Sequence, residues 1–241
     1  MFIALLDMRI NNPEGVVCIH NGYPGKTFPR PTCFPSKKSM LLTHDDVMTW
    51  ERVPRLTLLN ALSGYKSAVL VGTAKQHGHT NLAIFNQVVH IGANPPYLAL
   101  VMRPTTVPRH TYDNIKETGF WTINHVHPEF VQAAHQTSAS YPDTVSEFEA
   151  CGFTPEYRPG IAAPFVAESR VRLGLAYEEE YLIKASGVLL IVGKVLELHL
   201  PDDAVAADGF INLESLGLVA TGGLDAYYEG SMLVRLPFAR V

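Results

Sequence analysis

The stretch TNLAIFNQVVHIGANPPYLALVMRPTTVPRHTYDNIKETGFWTIN, Thr80 to Asn124, decides how this chain is read. Ala83 to His90, Tyr97 to Met102 and Phe120 to His125 carry strand-like apolar runs, separated by Gly, Asn and Pro. Between the last two, Thr111 to Thr118 reads as a helix that stops at Gly119, a residue suited to the position just past a helix end.

Working outward, Ser67 to Thr73, Phe165 to Leu173 and Val188 to Leu200 give further strand-like runs. Pro128 to Thr137 gives a second short helix, with Pro at its first position and Glu129 in its first turn. Strands and helices do not alternate as βαβ units. The pattern therefore predicts a mainly β domain with short helices, an antiparallel barrel rather than a doubly wound sheet.

The chain has 241 residues, enough for one large domain or one domain with extensions. With 47% hydrophobic residues it has ample material for a core, which excludes disorder as the main state. Only 17% are charged, against a usual value of about 25%, and a surface this poor in charge predicts a subunit interface. The 19 Lys and Arg are outnumbered by 23 Asp and Glu and form no cluster, which argues against nucleic-acid binding.

Cys18, Cys33 and Cys151 are odd in number and widely spaced, so neither a disulfide framework nor a zinc ribbon is expected. A reducing cytoplasm fits them. The apolar run Phe2 to Leu6 is too short for a signal sequence, and Val188 to Val192 reads as a core strand, so no membrane span is expected.

Residues 1–39 differ from the rest, being punctuated by Gly and Pro without sustained periodicity. We expect a loosely structured extension there, with Met40 an alternative start. The domain then spans 40–241, with a core at about 55–200 and a C-terminal packing segment at 201–241. GYPGKT, Gly22 to Thr27, resembles a phosphate loop, but His20 stands where a glycine is required and FPRP follows where a helix must begin.

Several chemistries are missing from the sequence. No GxGxxG follows a strand, and no GxSxG elbow occurs. Ser63 and Lys66 spell SxxK, but the companion motifs of a penicillin-recognising acyl site do not follow. His77 with His79, and His125 with His127, have the i, i+2 spacing that puts two side chains on one strand face. The first pair reads as part of a hairpin turn and the second as a strand end, and neither has a third ligand at helical spacing, so no metal is expected.

The segment Arg103 to Thr111 carries two arginines, a histidine and three threonines and runs directly into a predicted helix. Helix amides beside arginine and hydroxyl groups make an anion site. The alternative is that Thr111 only caps the helix and Arg109 is solvated.

On these residues the chain resembles the flavin reductase-like, FMN-binding split-barrel family, which includes the flavoredoxins. The resemblance lies in Asn81-Leu-Ala83, Phe85-Asn86, Pro95-Pro96, Arg109, Thr111 and Asn114-Ile115. It continues through Ser146-Glu-Phe148, Cys151-Gly-Phe153 and Ala163 to Ser169, so that it covers about Arg55 to Tyr228. Asn86 stands where many relatives have Ser, and the C-terminal Pro237-Phe-Ala-Arg-Val241 lacks a common Arg-Pro ending.

The resemblance implies a six-stranded, Greek-key antiparallel split barrel of FMN-binding type, a homodimer with FMN at the interface, and NAD(P)H as electron donor. FMN brings a phosphate carrying about −1.5 to −2 charges. Arg109, His110 and Thr111, with Arg103 and Thr106, are the residues expected to hold it. Thr80, Asn81, Ala83, Asn86 and Gln87 are expected along the flavin ring, with Asn81 alternatively a turn residue.

Lys66 and Glu168 are weaker candidates that surface pairing also explains. The helix bearing His135, Thr137 and Ser138 either reaches towards a nicotinamide or is an ordinary amphipathic helix. Tyr227 and Tyr228 either pack at the flavin edge or belong to the core. The expected activity is NAD(P)H-dependent flavin reduction without an acid-base pair. The alternative is a non-catalytic FMN electron carrier fed by a protein partner.

Overall fold

A computed structural model of the chain describes residues 39–240. The chain divides into two units, 1–43 and 44–241. In the first, residues 39–43 form neither helix nor strand, and the expectations for residues 1–38, GYPGKT included, lie outside the described residues.

The second unit opens with two helices, α1 (His44–Met48) and α2 (Arg52–Leu62). The strands β1 (Lys66–Ser67), β2 (Val69–Ala74), β3 (Thr80–Phe85), β4 (Val88–Ala93) and β5 (Pro96–Met102) follow. Then come α3 (His110–Thr118), β6 (Phe120–His125), a 3-10 turn Pro128–Phe130, α4 (Val131–Gln136) and α5 (Glu147–Ala150). The chain continues through β7 (Pro155–Arg158), β8 (Ile161–Val166), β9 (Arg172–Ile183), β10 (Val188–His199), β11 (Val219–Gly222) and β12 (Ala226–Glu229).

Seven strands, one more than expected, form one antiparallel sheet in the order β3-β2-β6-β9-β10-β5-β4. Its outer strands, β3 and β4, are consecutive in the chain and joined only by Asn86 and Gln87. A flat sheet of seven strands would hold its edges about 29 Å apart at the usual strand spacing, whereas the three steps from Phe85 to Val88 reach about 11 Å at most. The sheet must therefore curl until its edges meet. The result is an antiparallel barrel split along the β3–β4 seam.

Alternation of side chains along β2 feeds two cores. Val69 and Val71 enter the barrel with Leu100, Trp121, Ile123, Leu175 and Ile191. Leu70 turns outward to Leu82, Val126, Phe148 and Phe153, a second cluster under α4 and α5. The barrel closes around Trp121, whose indole occupies the space that a Cβ on Gly193 would need. β11 pairs with both β1 and β12, so the C-terminal segment returns to the start of the domain.

Three strand boundaries differ from the sequence reading. Ser67 to Thr73 breaks at Ala68, with Ser67 in β1 and Val69 onward in β2, strands of different sheets. Ala83 to His90 is not one strand, because the chain changes sheet edge at Asn86 and Gln87. Phe165 to Leu173 is likewise divided between β8 and β9, the break falling in the polar Ala167–Val171 link. Helix α2 was not expected from sequence. α3 ends at Gly119 with φ +77°, the left-handed conformation that glycine adopts without strain.

Candidate functional site

A cleft of about 700 Å³ opens at the seam. Asn81 and Ala83 to Gln87 form one wall, and Val101 to Arg103 with Pro108 to Thr111 form the second. The chain after α4, Thr137 to Tyr141, closes a third side. Arg52, Leu56 and Asn60 line it from α2, at i, i+4 and i+8 on one helix face, and Thr221, Leu224 and Tyr227 line it from the C-terminal segment.

At one end lies the start of α3. Arg109 occupies its N-cap position without a side-chain cap, and the first helical bond closes from the Asp113 amide to the Arg109 carbonyl. The amides of His110, Thr111 and Tyr112 therefore have no partner within the helix. Thr111 is not the cap: its Oγ1 accepts a hydrogen bond from Asn81 Nδ2 at 3.0 Å, which leaves the hydroxyl proton available as a donor. Asn81 is buried within β3, not in a turn, and its Nδ2 also lies 3.4 Å from Thr73 Oγ1. Thr73 accepts from Asn114 Nδ2 as well, so a buried polar cluster fixes the start of α3 against β2 and β3.

The charges around this end are one-sided. Arg109 Nε reaches only the Pro104 carbonyl, at 3.3 Å, and among the described residues neither Arg109, Arg103 nor Arg52 has a carboxylate partner. The nearby carboxylates are engaged elsewhere. Asp143 is held by Lys75 at 2.5 Å, with His110 at 3.8 Å, which lowers the Asp143 pKa. Glu147 accepts from the Leu82 amide at 3.0 Å.

Not every expected residue reaches the cleft. Asn81, Ala83, Asn86, Gln87, Arg103, Arg109, His110 and Thr111 line it, whereas Thr80 and Thr106 do not. Thr80 shares a hydrogen bond with the Ser146 hydroxyl at 2.5 Å, and Thr106 is exposed in the loop before α3. Asn86 gives its Nδ2 to the Gly223 carbonyl at 3.1 Å and so ties the seam to the C-terminal segment.

Thr137, Ser138 and Tyr227 stand in the wall, whereas His135 stands behind it and meets the Tyr227 hydroxyl through Nδ1 at 2.8 Å. Tyr228 is exposed and packs on Tyr65. Arg52, Asn60, Thr221 and Leu224 were missed in the sequence. Nothing local marks them, because they join the site only through folding of distant segments.

The other motifs have structural uses. Lys66 Nζ donates to Ser63 Oγ and to the Asn60 carbonyl, both at 2.7 Å, and Ser63 Oγ donates to the same carbonyl. A lysine donating to two oxygens is not a base for the serine, so SxxK here secures the end of α2. Glu168 accepts the Thr154 amide. His127 is buried, with Nδ1 at 3.2 Å from the Gly217 carbonyl and Nε2 accepting the Arg170 amide, so both ring nitrogens are occupied. Burial lowers its pKa, with Arg170 adding to the effect, and burial takes His125 down to about 4. Among the described residues no group of His, Cys, Asp and Glu is placed to hold a metal, and no helix is long and apolar enough to cross a membrane.

Residues 62–216 match the flavin reductase like domain. The chain belongs to the flavin reductase-like family. Within that fold, a split-barrel protein from Shewanella frigidimarina NCIMB 400 is 44% identical, covering 83% of this chain and all of that one, with a TM-score of 0.80. The flavoredoxin of Desulfovibrio vulgaris (Miyazaki F) shares the fold at 20% identity, with a TM-score of 0.63 over 73% of this chain and 92% of its own. An FMN-binding protein from Thermus thermophilus does so at 15% identity, with a TM-score of 0.61 over 73% of this chain and 93% of its own.

The cleft of this family member also suits a flavin on its own chemistry. Thr221 Oγ1 and Asn60 Oδ1, on residues lining it, are buried without hydrogen-bond partners, and such atoms ordinarily have one. The arginine-rich end supplies what a phosphate needs, and Ala83, Phe85, Val101 and Met102 supply an apolar wall.

Proposed function

We propose that this protein is an FMN-dependent oxidoreductase that takes reducing equivalents from NAD(P)H. The observation that carries the reading is the α3 end of the cleft, where guanidinium groups without carboxylate partners stand beside unpaired helix amides. A dianionic phosphate is the natural complement of that end. When bound, the flavin supplies the redox chemistry, accepting a hydride equivalent from the nicotinamide and passing electrons to an acceptor.

The chain's own residues bind and orient. Arg109 and Arg103, with the amides of His110 and Thr111, hold the phosphate, and Asn81 fixes the Thr111 hydroxyl that completes the set. Ala83 to Gln87 and the Val101 to Met102 edge flank the ring, with Thr221 and Asn60 offering polar atoms to it. The apolar cover along the seam limits water, and positioning two rings face to face at reacting distance accounts for catalysis without an acid-base pair.

The working unit in this reading is a homodimer in the cytoplasm, with FMN close to the interface. Val53, Leu56, Leu59 and Leu62 are exposed along α2, which itself lines the cleft, and a second copy would cover them. The test is oxidation of NADH and NADPH under air with FMN added, beside the rate for free flavin and the retention of FMN through gel filtration. Oxidation above the free-flavin rate is the expected result. Retained FMN with no oxidation of either nucleotide would overturn it in favour of an electron carrier, and absence of FMN binding would overturn both.

A further inference from the structure

We infer that Tyr227 and His135 form a proton relay between solvent and the flavin cleft. The inference rests on the flavin-reduction reading above and adds to it the source of a proton. Reduction of flavin by a reduced nicotinamide nucleotide moves one hydride, that is two electrons and one proton, from the nicotinamide and takes up one further proton. In balance, NAD(P)H, H⁺ and flavin give NAD(P)⁺ and reduced flavin. The proton comes from water, so a cleft filled by the two rings would need a route for it.

The geometry provides one. Tyr227, on β12, is half-buried and lines the cleft beside Thr221 and Leu224. Its hydroxyl lies 2.8 Å from His135 Nδ1, and the two rings meet edge to face at 5.7 Å. His135, on α4, is exposed and does not line the cleft. The pair therefore spans the wall, with one member facing water and the other facing the cavity.

Each step conserves the proton. Water protonates His135 at Nε2, the Nδ1 proton passes to the Tyr227 oxygen, and the original phenolic proton leaves into the cleft. The ring is left neutral and returns to its starting tautomer by exchange with water.

Other titratable side chains of the cleft are placed differently. His110 stands at the phosphate end beside Arg109 and faces Asp143, while Glu147 is bound to the Leu82 amide. Tyr141 meets no imidazole: its hydroxyl lies 3.1 Å from Nε2 of the exposed Gln136 and 3.7 Å from the half-buried Cys151. Burial raises the Tyr227 pKa, and Asp225 at the β11–β12 turn adds to it.

The experiment follows proton uptake by a pH-indicator dye in weak buffer when the FMN-loaded protein is mixed with NADPH or NADH without oxygen. Tyr227→Phe keeps the ring and removes the hydroxyl. It should slow the uptake phase about 100-fold, the low end for general acid catalysis. His135→Gln should show the same defect, and the double variant should be no worse than either single one, as expected of groups acting in series. Tyr228→Phe, one residue away and outside the cleft, should behave as the parent.

A second readout needs no cofactor. In the flavin-free protein the ¹⁵N shift of His135 Nδ1 should move on Tyr227→Phe. An unmoved shift, or parental proton uptake by a flavin-loaded Tyr227→Phe, would overturn the relay and leave the flavin-reduction reading standing. A parent protein that binds no flavin would overturn both.

Discussion

The paired and unpaired arginines of this protein divide it into two regions. On the β7–β8 side, Arg172 and Arg158 share Glu156, each at 2.7 Å, and Arg172 is only 13% exposed in its side chain. Arg170 pairs with Glu129, and Arg235 with Asp208. On the cleft side, Arg52, Arg103 and Arg109 have no carboxylate among the described residues. The same side chain thus serves two ends. Where it meets a carboxylate its charge is spent within the fold, as when Arg172 on β9 ties itself to Glu156 on β7, and in the proposed function the charges without a carboxylate are the ones a ligand would use.

The largest expected effect belongs to the structural side and is a pH dependence. His125 has its pKa lowered by burial to about 4, and His127 is shifted the same way by burial and Arg170. An unfolded chain takes up these protons as pH falls below about 6.5, while the native protein resists, in the case of His125 until about 4. Stability should therefore be full above 6.5 and decline as pH falls through this window, by up to about 3 kcal/mol from His125. Urea titrations from pH 7 to pH 4.5 check this. His125→Gln should flatten the curve.

Next in size, Arg172→Ala should lower stability by about 2 kcal/mol, the cost of removing a charged hydrogen-bond partner from a partly buried pair, without changing flavin affinity. Arg109→Ala should do the reverse. It should weaken FMN binding by about 1.5 to 3 kcal/mol and leave the thermal midpoint unchanged, as calorimetry and fluorescence titration would show. If Arg109→Ala destabilises the fold, or Arg172→Ala releases flavin, the division fails. The smallest effect is expected of Arg235→Ala, whose pair with Asp208 is half-exposed on both sides. No measurable change in Tm or affinity should follow.

The division was only half visible in the sequence. Arg103 to Thr111 could be read because its residues are contiguous and run into a helix with a recognisable end at Gly119. Arg52 escaped notice because Pro54 interrupts an otherwise apolar helical pattern, so α2 gave no clear start signal. Thr221 and Tyr227 enter the site through the pairing of β11 with β1, a contact between segments about 150 residues apart that no local pattern encodes.

The strands around Tyr97 to His125 were legible for the same local reasons as the helix. The seam was not. AIFNQVVH reads as one run because the chain passes from one edge of the sheet to the other without a glycine or proline, marked only by Asn86 and Gln87.

That two-residue link has a consequence for how such a fold diversifies. Each residue added between Phe85 and Val88 lengthens the tether by up to about 3.5 Å and, if absorbed into a strand, turns its side chains to the opposite face. The gape of the cavity and the identity of the groups pointing into it are thus set by a residue count. Insertions and deletions at this position, more than substitutions, would be the means by which a barrel of this kind is refitted to ligands of different width.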